Sequence, residues 1–148
     1  MTNARILAFP TQSPEAAAAY FGAELAFDVD PDDLVRDLAD GLTDGYVIIE
    51  TRGPEAYAEA HLPGAINLPY RDLTPENTAH LDRSLTYVCY CESTYCNAAT
   101  KGAHKLAALG FTVKRLAGGI TAWIAAGYPV ERVGATPDLV AAAPRCAC

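Results

Sequence analysis

The chain has 148 residues, of which 51% are hydrophobic and 20% charged, and this balance indicates one globular domain with a core of its own. Its formal net charge is −7, and ten of its 18 acidic residues lie in the first fifty positions, beside only two basic ones. The charge argues against a nucleic-acid-binding protein, which needs a basic patch, and it assigns any anion-handling chemistry to the later part of the chain.

Two helices are predicted near the start, each opened by a polar capping residue followed by proline. The first begins at Ser13-Pro14 and continues through Ala-rich sequence to Phe21 or Phe27. The second begins at Asp30-Pro31 and ends near Asp40-Gly41, since glycine commonly ends a helix. After these the chain alternates between short apolar runs and helical segments.

Four apolar runs predict strands, and the segments between them predict helices or loops. The strands are expected at residues 46–50, 65–68, 86–90 and 112–116, with helices at 54–60, 97–109 and 120–126 and a polar, loop-rich stretch at 70–84. This alternation predicts an α/β fold with a mostly parallel sheet covered by helices on both faces. Ligands of such sheets bind beyond the carboxyl ends of the strands, which here directs attention to the residues after Glu50, Tyr90 and Leu116.

The organisation predicted from these elements is an N-terminal helical extension (1–30), a main domain (31–131) and a flexible, Ala- and Pro-rich C-terminal tail (132–148). No apolar run is long enough to cross a membrane, and the apolar patch near the start is too short and too weakly basic for a signal peptide. We therefore expect a cytoplasmic protein with neither membrane nor nucleic-acid partners. Its five cysteines should be mostly reduced in that compartment, which favours reactivity or metal binding over a disulfide framework.

Cys91 comes directly after a predicted strand and shortly before a predicted helix. A loop that turns from a strand into a helix directs several backbone N–H groups inward, and the helix start adds partial positive charge. Such surroundings are expected to lower the pKa of the thiol from about 8.5 and to hold an anionic substrate while the sulfur attacks it. The alternative is that Cys91 is a buried apolar residue at a strand end.

Three groups of residues carry a resemblance to a known family. The first is the segment 48–52 with Tyr57 and the segment 60–69, which reads AHLPGAINLP; the second is Tyr87 to Cys91; the third comprises 109–111, 116–123 and 127–130. In this order they resemble the signatures of the rhodanese-like family. The resemblance implies a five-stranded, mostly parallel sheet flanked by helices, and a persulfide intermediate on Cys91. A subset of single-domain members resembles this chain further, in the N-terminal helix, a Cys-x4-Cys loop and a Cys-x-Cys ending.

The loop after Cys91 departs from the common family pattern. Many members have glycine within the loop and arginine at its sixth position, whereas this loop contains no basic residue and Glu92 adds negative charge. Thiosulfate binding is therefore expected to be weak, and another persulfide is a possible donor. Arg52 is the candidate for extra anion stabilisation, although an ion pair with Glu50 or a neighbour would also explain it. The residue six positions after Cys91 is Asn97, which argues against the Cys-x5-Arg chemistry of cysteine phosphatases.

Cys96 lies close enough along the loop for its sulfur to meet that of Cys91, so we expect it to be a candidate resolving thiol that converts the persulfide into a disulfide with release of sulfide. The alternative is a small apolar residue at the helix start. Cys146 and Cys148 are candidate tail thiols that accept sulfur, reduce a disulfide or bind a soft metal, or else are incidental. Cys89, inside a strand, is expected to belong to the core. No spacing of a resident metal site or cofactor motif is present.

The sequence thus predicts a sulfurtransferase that moves sulfane sulfur from thiosulfate or a persulfide to a thiophilic acceptor, such as a thioredoxin- or glutathione-type thiol. Cys91 is the predicted nucleophile, and the predicted substrate-binding loop consists of Glu92, Ser93, Thr94, Tyr95, Cys96 and Asn97. Two alternatives remain: a non-catalytic rhodanese-fold interaction module, and a thiol redox or metal-stress protein that uses the Cys91–Cys96 pair. The oligomeric state stays open, with a homodimer through the N-terminal helix as one arrangement.

Overall fold

A computed structural model describes residues 4–134 of the chain. Its strands are β1 (Asp28–Val29), β2 (Tyr46–Glu50), β3 (Ile66–Asn67), β4 (Thr86–Tyr90) and β5 (Thr112–Leu116). Its α-helices are α1 (Pro14–Phe27), α2 (Pro31–Asp40), α3 (Pro54–Glu59), α4 (Pro75–Thr78), α5 (Ala98–Ala108) and α6 (Gly119–Ala125), and short 3₁₀ helices lie at Arg5–Leu7 and Tyr70–Asp72. The strands form one parallel sheet in the order β1-β5-β4-β2-β3. The predicted α/β architecture is confirmed.

The strand at the outer edge, β1, is the element that the strand pattern of the sequence missed. It consists of only Asp28 and Val29, which pair with Arg115 and Leu116 of β5. It lies within the segment predicted as a purely helical extension, between α1 and α2. The resemblance implied five strands, and this short strand completes that number.

Two hydrophobic clusters cover the two faces of the sheet because successive strand side chains point to opposite sides. One cluster joins Ile48, Val88 and Tyr90 to α2 and α6 through Leu34 and Trp123. The other cluster contains Ile49, Tyr87, Cys89 and Cys91 from the sheet, together with Ala98, Ala99 and Leu106 of α5. Cys89 and Cys91 therefore share one face of the sheet, as their spacing of two residues predicts, and this face packs against α5.

Helix α1 packs differently from the other long helices. Ser13 caps it, since its hydroxyl oxygen accepts a hydrogen bond from the Ala16 N–H over 3.1 Å, as the sequence predicts. The helix contacts β1 and β5, but none of its residues is buried, and Tyr20, Phe21 and Leu25 are exposed. Among the described residues, no helix is long and apolar enough to cross a membrane.

Candidate functional site: the Cys91 cavity

Cys91 follows β4 directly, at the carboxyl edge of the sheet where the sequence predicts it. Its side chain is only 2% exposed, and its thiol donates a hydrogen bond to the carbonyl oxygen of Cys96 over 3.3 Å. Cys91 forms part of the wall of a cavity of about 250 Å³. The rest of the wall comprises Ser93, Thr94, Cys96 and Asn97 of the loop, Ala99 and Thr100 of α5, and residues 115–119 at the end of β5.

Burial raises the pKa of the Cys91 thiol above its ordinary value. Hydrogen bonds from the backbone N–H groups of Ala99, Ser93 and Glu92 act in the opposite direction, and the nearby Glu50 carboxylate raises the pKa further. The expectation of a lowered pKa is therefore wrong, because the loss of water around the sulfur outweighs the amide donors. The effect of these N–H groups nevertheless favours an anionic sulfur species at Cys91.

Helix α6 holds the first residues of the loop in place. The N–H of Ile120 donates to the carbonyl of Cys91, and the N–H of Thr121 donates to the carbonyl of Glu92, both over 2.9 Å. Gly119 makes this approach possible, since a Cβ atom there would lie 2.6 Å from the Cys91 carbonyl oxygen, and its φ is +63°. Gly118 and Gly119, both with positive φ, thus allow the sharp turn from β5 into α6.

Glu92 and Arg52 are joined away from the cavity. The Arg52 guanidinium lies between the Glu50 and Glu92 carboxylates, with Nη1 at 2.8 Å from Glu92 Oε2, and it donates to the Ala60 carbonyl over 2.7 Å. All three charged side chains are buried. Glu92 therefore adds no exposed negative charge to the loop, and Arg52, which does not line the cavity, occupies the ion pair that the sequence left as its alternative role. This buried network ties the loop to β2.

The remaining loop residues divide between the cavity and solvent. Ser93, Thr94, Cys96 and Asn97 line the cavity, whereas the Tyr95 side chain is 99% exposed. The N–H groups of Tyr95 and Cys96 already donate to Ser93, to its hydroxyl and its carbonyl oxygen respectively. The amides that act on the Cys91 sulfur are thus those at the start of the loop and at the first turn of α5, not an even series through the loop.

The cysteines occupy different surroundings. Cys89 is fully buried, and burial raises its pKa to about 12, in keeping with the predicted core role. Cys91 and Cys89 are free cysteines, so the structure contains no Cys91–Cys96 disulfide. Cys96 packs partly against the cluster that contains Cys91 and partly lines the cavity, but it is disulfide-bonded in this structure. Its resolving role, which needs a reduced thiol, therefore stays a prediction for the reduced protein. Cys146 and Cys148 lie outside the described residues.

Arg115 is the cavity residue that the sequence did not reveal. It lies on β5, where it pairs in register with Cys89 of β4, and side chains at paired positions share a face of the sheet. The only signal for it was its place one residue before the end of a predicted strand, at the edge where ligands bind. Knowing which strand neighbours β4 was necessary to connect it to Cys91.

Comparison with known proteins found a matching family model and similar relatives. The family model of the rhodanese-like domain matches residues 30–126. The HTH-type transcriptional regulator Rv0324 of Mycobacterium tuberculosis is 36% identical over 84 residues, a match that covers 57% of this chain and only 37% of that regulator. Thiosulfate sulfurtransferase 16 of Arabidopsis thaliana, a chloroplastic protein, is 30% identical over 104 residues, covering 62% of this chain and 85% of that protein.

Among solved structures, the crystal structure of the BH2092 protein of Bacillus halodurans superposes with a TM-score of 0.78 and 36% identity. The superposition covers 86% of this chain and 93% of that protein. It therefore extends beyond the region that the family model matches.

Proposed function

This chain belongs to the rhodanese-like domain family, and on that premise we propose that it is a sulfurtransferase that carries sulfane sulfur as a persulfide on Cys91. The observation that carries the proposal is the position of the Cys91 thiol. It directly follows a central strand and lines a cavity, and the backbone N–H groups of Glu92, Ser93 and Ala99 favour its anionic form. The thiosulfate sulfurtransferase relative supports the same class of reaction.

The first half-reaction is a displacement at sulfur. The Cys91 thiolate attacks the outer sulfur of thiosulfate or of another sulfane-sulfur donor, a new S–S bond forms, and the old S–S bond breaks with its electron pair on the leaving group. With thiosulfate the leaving group is sulfite, and Cys91 retains one sulfur atom as a persulfide. Because the raised pKa of Cys91 disfavours the thiolate at neutral pH, much of the rate enhancement has to come from binding the donor in position beside the sulfur.

The second half-reaction returns the enzyme to its starting state. A nucleophilic acceptor, such as cyanide or a small thiol, attacks the outer sulfur of the persulfide, and Cys91 leaves as the thiolate. The amides of Glu92, Ser93 and Ala99, which favour the anionic form of Cys91, stabilise the thiolate that leaves in this step. The burial of Cys91 shields the persulfide from bulk water between the two steps.

Turnover with thiosulfate and cyanide tests the proposal, with thiocyanate as the measured product. We expect Cys91→Ser to lose turnover to the uncatalysed background, because serine cannot carry the sulfur. Cys89→Ala is the matched control, since it removes a second buried thiol from the same face of the sheet, and we expect it to retain most of the activity. Equal turnover by Cys91→Ser and the unmodified protein would refute the assignment.

The regulator among the relatives favours a second function, in which this domain senses sulfur species for a partner protein. The matched regulator is more than twice as long as the region it shares with this chain, and its name describes a transcriptional regulator. In that role Cys91 would be loaded with sulfur but turn over slowly. Loading of Cys91 without appreciable transfer to cyanide or thiols would favour this second function over the first.

A further inference from the structure

The cavity beside Cys91 has one basic side chain in its wall, as far as residues 4–134 show, and it belongs to Arg115. The loop itself supplies no basic residue. Arg115 lies on the same face of the sheet as Cys91, one strand away, and its side chain is 44% exposed. A guanidinium in this position can reach a ligand in the cavity while remaining partly hydrated.

The guanidinium is held in a fixed orientation by two neighbours. Its Nε and Nη2 atoms lie 3.0 Å and 2.9 Å from Asp28 Oδ1, and its Nη1 atom donates to the Thr100 hydroxyl oxygen over 2.8 Å. Since an arginine has five N–H donors, these three contacts leave one N–H on each terminal nitrogen for a ligand. Two such donors suit an oxygen-bearing anion.

The other basic residues near the loop are directed elsewhere. Arg52 is enclosed by two carboxylates, as described above. Lys105 donates to the carbonyl of Tyr70 over 2.9 Å, and the Lys101 ammonium lies 5.1 Å from the centre of the Tyr70 ring. Neither lysine lines the Cys91 cavity. Among residues 4–134, Arg115 is therefore the basic residue that can bind an anion in this cavity.

We propose that Arg115 binds the negatively charged end of the sulfur donor, which makes small anionic donors the preferred substrate class over uncharged ones. The inference rests on the proposed function and specifies its substrate. The sulfonate oxygens of thiosulfate would lie toward Arg115 while the outer sulfur faces Cys91. The arginine common in the loop of other members is thus replaced in its role by a residue from a neighbouring strand.

Asp28 is the positioning residue in this arrangement. It belongs to β1, and the region matched by the family model begins only at residue 30. The short edge strand that precedes the matched region therefore has a part in the site, because it orients Arg115 from the side opposite to Thr100. Because its carboxylate offsets part of the Arg115 charge, the preference for anions depends on hydrogen bonds from the remaining N–H groups of Arg115.

Alkylation of Cys91 with two reagents of equal size and different charge tests the proposal without requiring turnover. Iodoacetate is an anion and iodoacetamide is neutral, and both alkylate the thiolate with loss of iodide. The rate constants are measured on the peptide that contains Cys91 in reduced protein. Their ratio cancels changes in thiolate fraction. We expect Arg115→Gln to lower the iodoacetate-to-iodoacetamide ratio about tenfold, the low end for a lost charged hydrogen bond at a partly exposed site.

Two further variants make the result specific. Arg71→Gln removes the same charge from an exposed arginine beside Tyr70, outside the cavity, and should leave the ratio unchanged. Arg115→Lys keeps the charge but not the fork of donors, and should give an intermediate ratio even if Arg115→Gln fails to fold. An unchanged ratio in both Arg115 variants, or an equal fall in Arg71→Gln, would overturn the proposal.

The same samples separate this inference from the proposed function. Unmodified protein that gains sulfur from thiosulfate, with a ratio independent of Arg115, would reject the inference alone. A ratio that depends on Arg115, in protein that gains no sulfur from thiosulfate, would support the anion site and reject thiosulfate sulfur transfer.

Discussion

Replacing Gly119 with alanine should disrupt the site without removing any reactive group. A Cβ at this position would lie 2.6 Å from the Cys91 carbonyl oxygen and 2.7 Å from the carbonyl carbon and oxygen of Glu92. These are backbone atoms, so no flexible side chain can move aside. Gly127 is the matched control, because it also has a positive φ, +77°, but among the described residues no heavy atom lies within 4 Å of its Cβ position.

The expected loss of stability follows from these two environments. Both substitutions incur a left-handed backbone cost of about 1–2 kcal/mol. Gly119→Ala adds about 1–3 kcal/mol for overpacking, and it weakens the hydrogen bonds from Ile120 and Thr121 to the loop carbonyls. We therefore expect Gly127→Ala to lower the free energy of unfolding by about 1–2 kcal/mol and Gly119→Ala by about 2–5 kcal/mol.

Urea unfolding measures the free energies, and iodoacetamide alkylation of Cys91 in the folded protein reports the loop. Gly119→Ala should alter the Cys91 alkylation rate, because its clash displaces the backbone of Cys91 itself, whereas Gly127→Ala should not. Equal losses of stability in the two variants, with unchanged alkylation, would refute the idea that the close approach of α6 fixes the loop.

Three further perturbations follow from the site. Arg52→Leu should lower the free energy of unfolding, measured in urea, by about 3–5 kcal/mol, because it leaves two buried carboxylates without their partner. Arg36→Leu, which breaks an exposed ion pair, should lower it by less than about 1 kcal/mol. Similar losses in the two variants would contradict the buried network. Because burial raises the pKa of Cys91, the rate at which Cys91 is alkylated should still be rising with pH above about pH 8.5, the ordinary pKa of a cysteine thiol. An alkylation rate that reaches a plateau below that pH would contradict the raised pKa. If Cys96 attacks the Cys91 sulfur of the persulfide and expels sulfide, reduced Cys96→Ser protein loaded with sulfur should release sulfide more slowly; an unchanged rate would reject the resolving role.

The main strands were predictable because each is a compact run of apolar or β-branched residues between turn signals. Residues 46–50, 86–90 and 112–116 form strands with the bounds that the sequence predicts. The strand β1 was not predictable in the same way. It has two residues, one of them acidic, and it exists because β5, far along the chain, offers an edge to pair with. Such an element depends on tertiary pairing more than on local pattern.

The site was predictable in its nucleophile but not in its electrostatics. Cys91 follows from the strand–loop–helix pattern and the family resemblance. The direction of its pKa does not, because the degree of burial depends on how α5 and the end of β5 close over the sulfur. Arg115 remained hidden for a related reason, since its proximity to the cavity depends on the order of strands in the sheet.

The central claim is that Cys91 carries the transferred sulfur, and intact-mass measurement of one half-reaction tests it most directly. Reduced protein is incubated with thiosulfate, without an acceptor, and desalted without reductant beside Cys91→Ser and Cys89→Ala. The account predicts a gain of one sulfur atom and release of one sulfite in the unmodified protein and in Cys89→Ala, and neither change in Cys91→Ser. A gain of sulfur that persists in Cys91→Ser would contradict it.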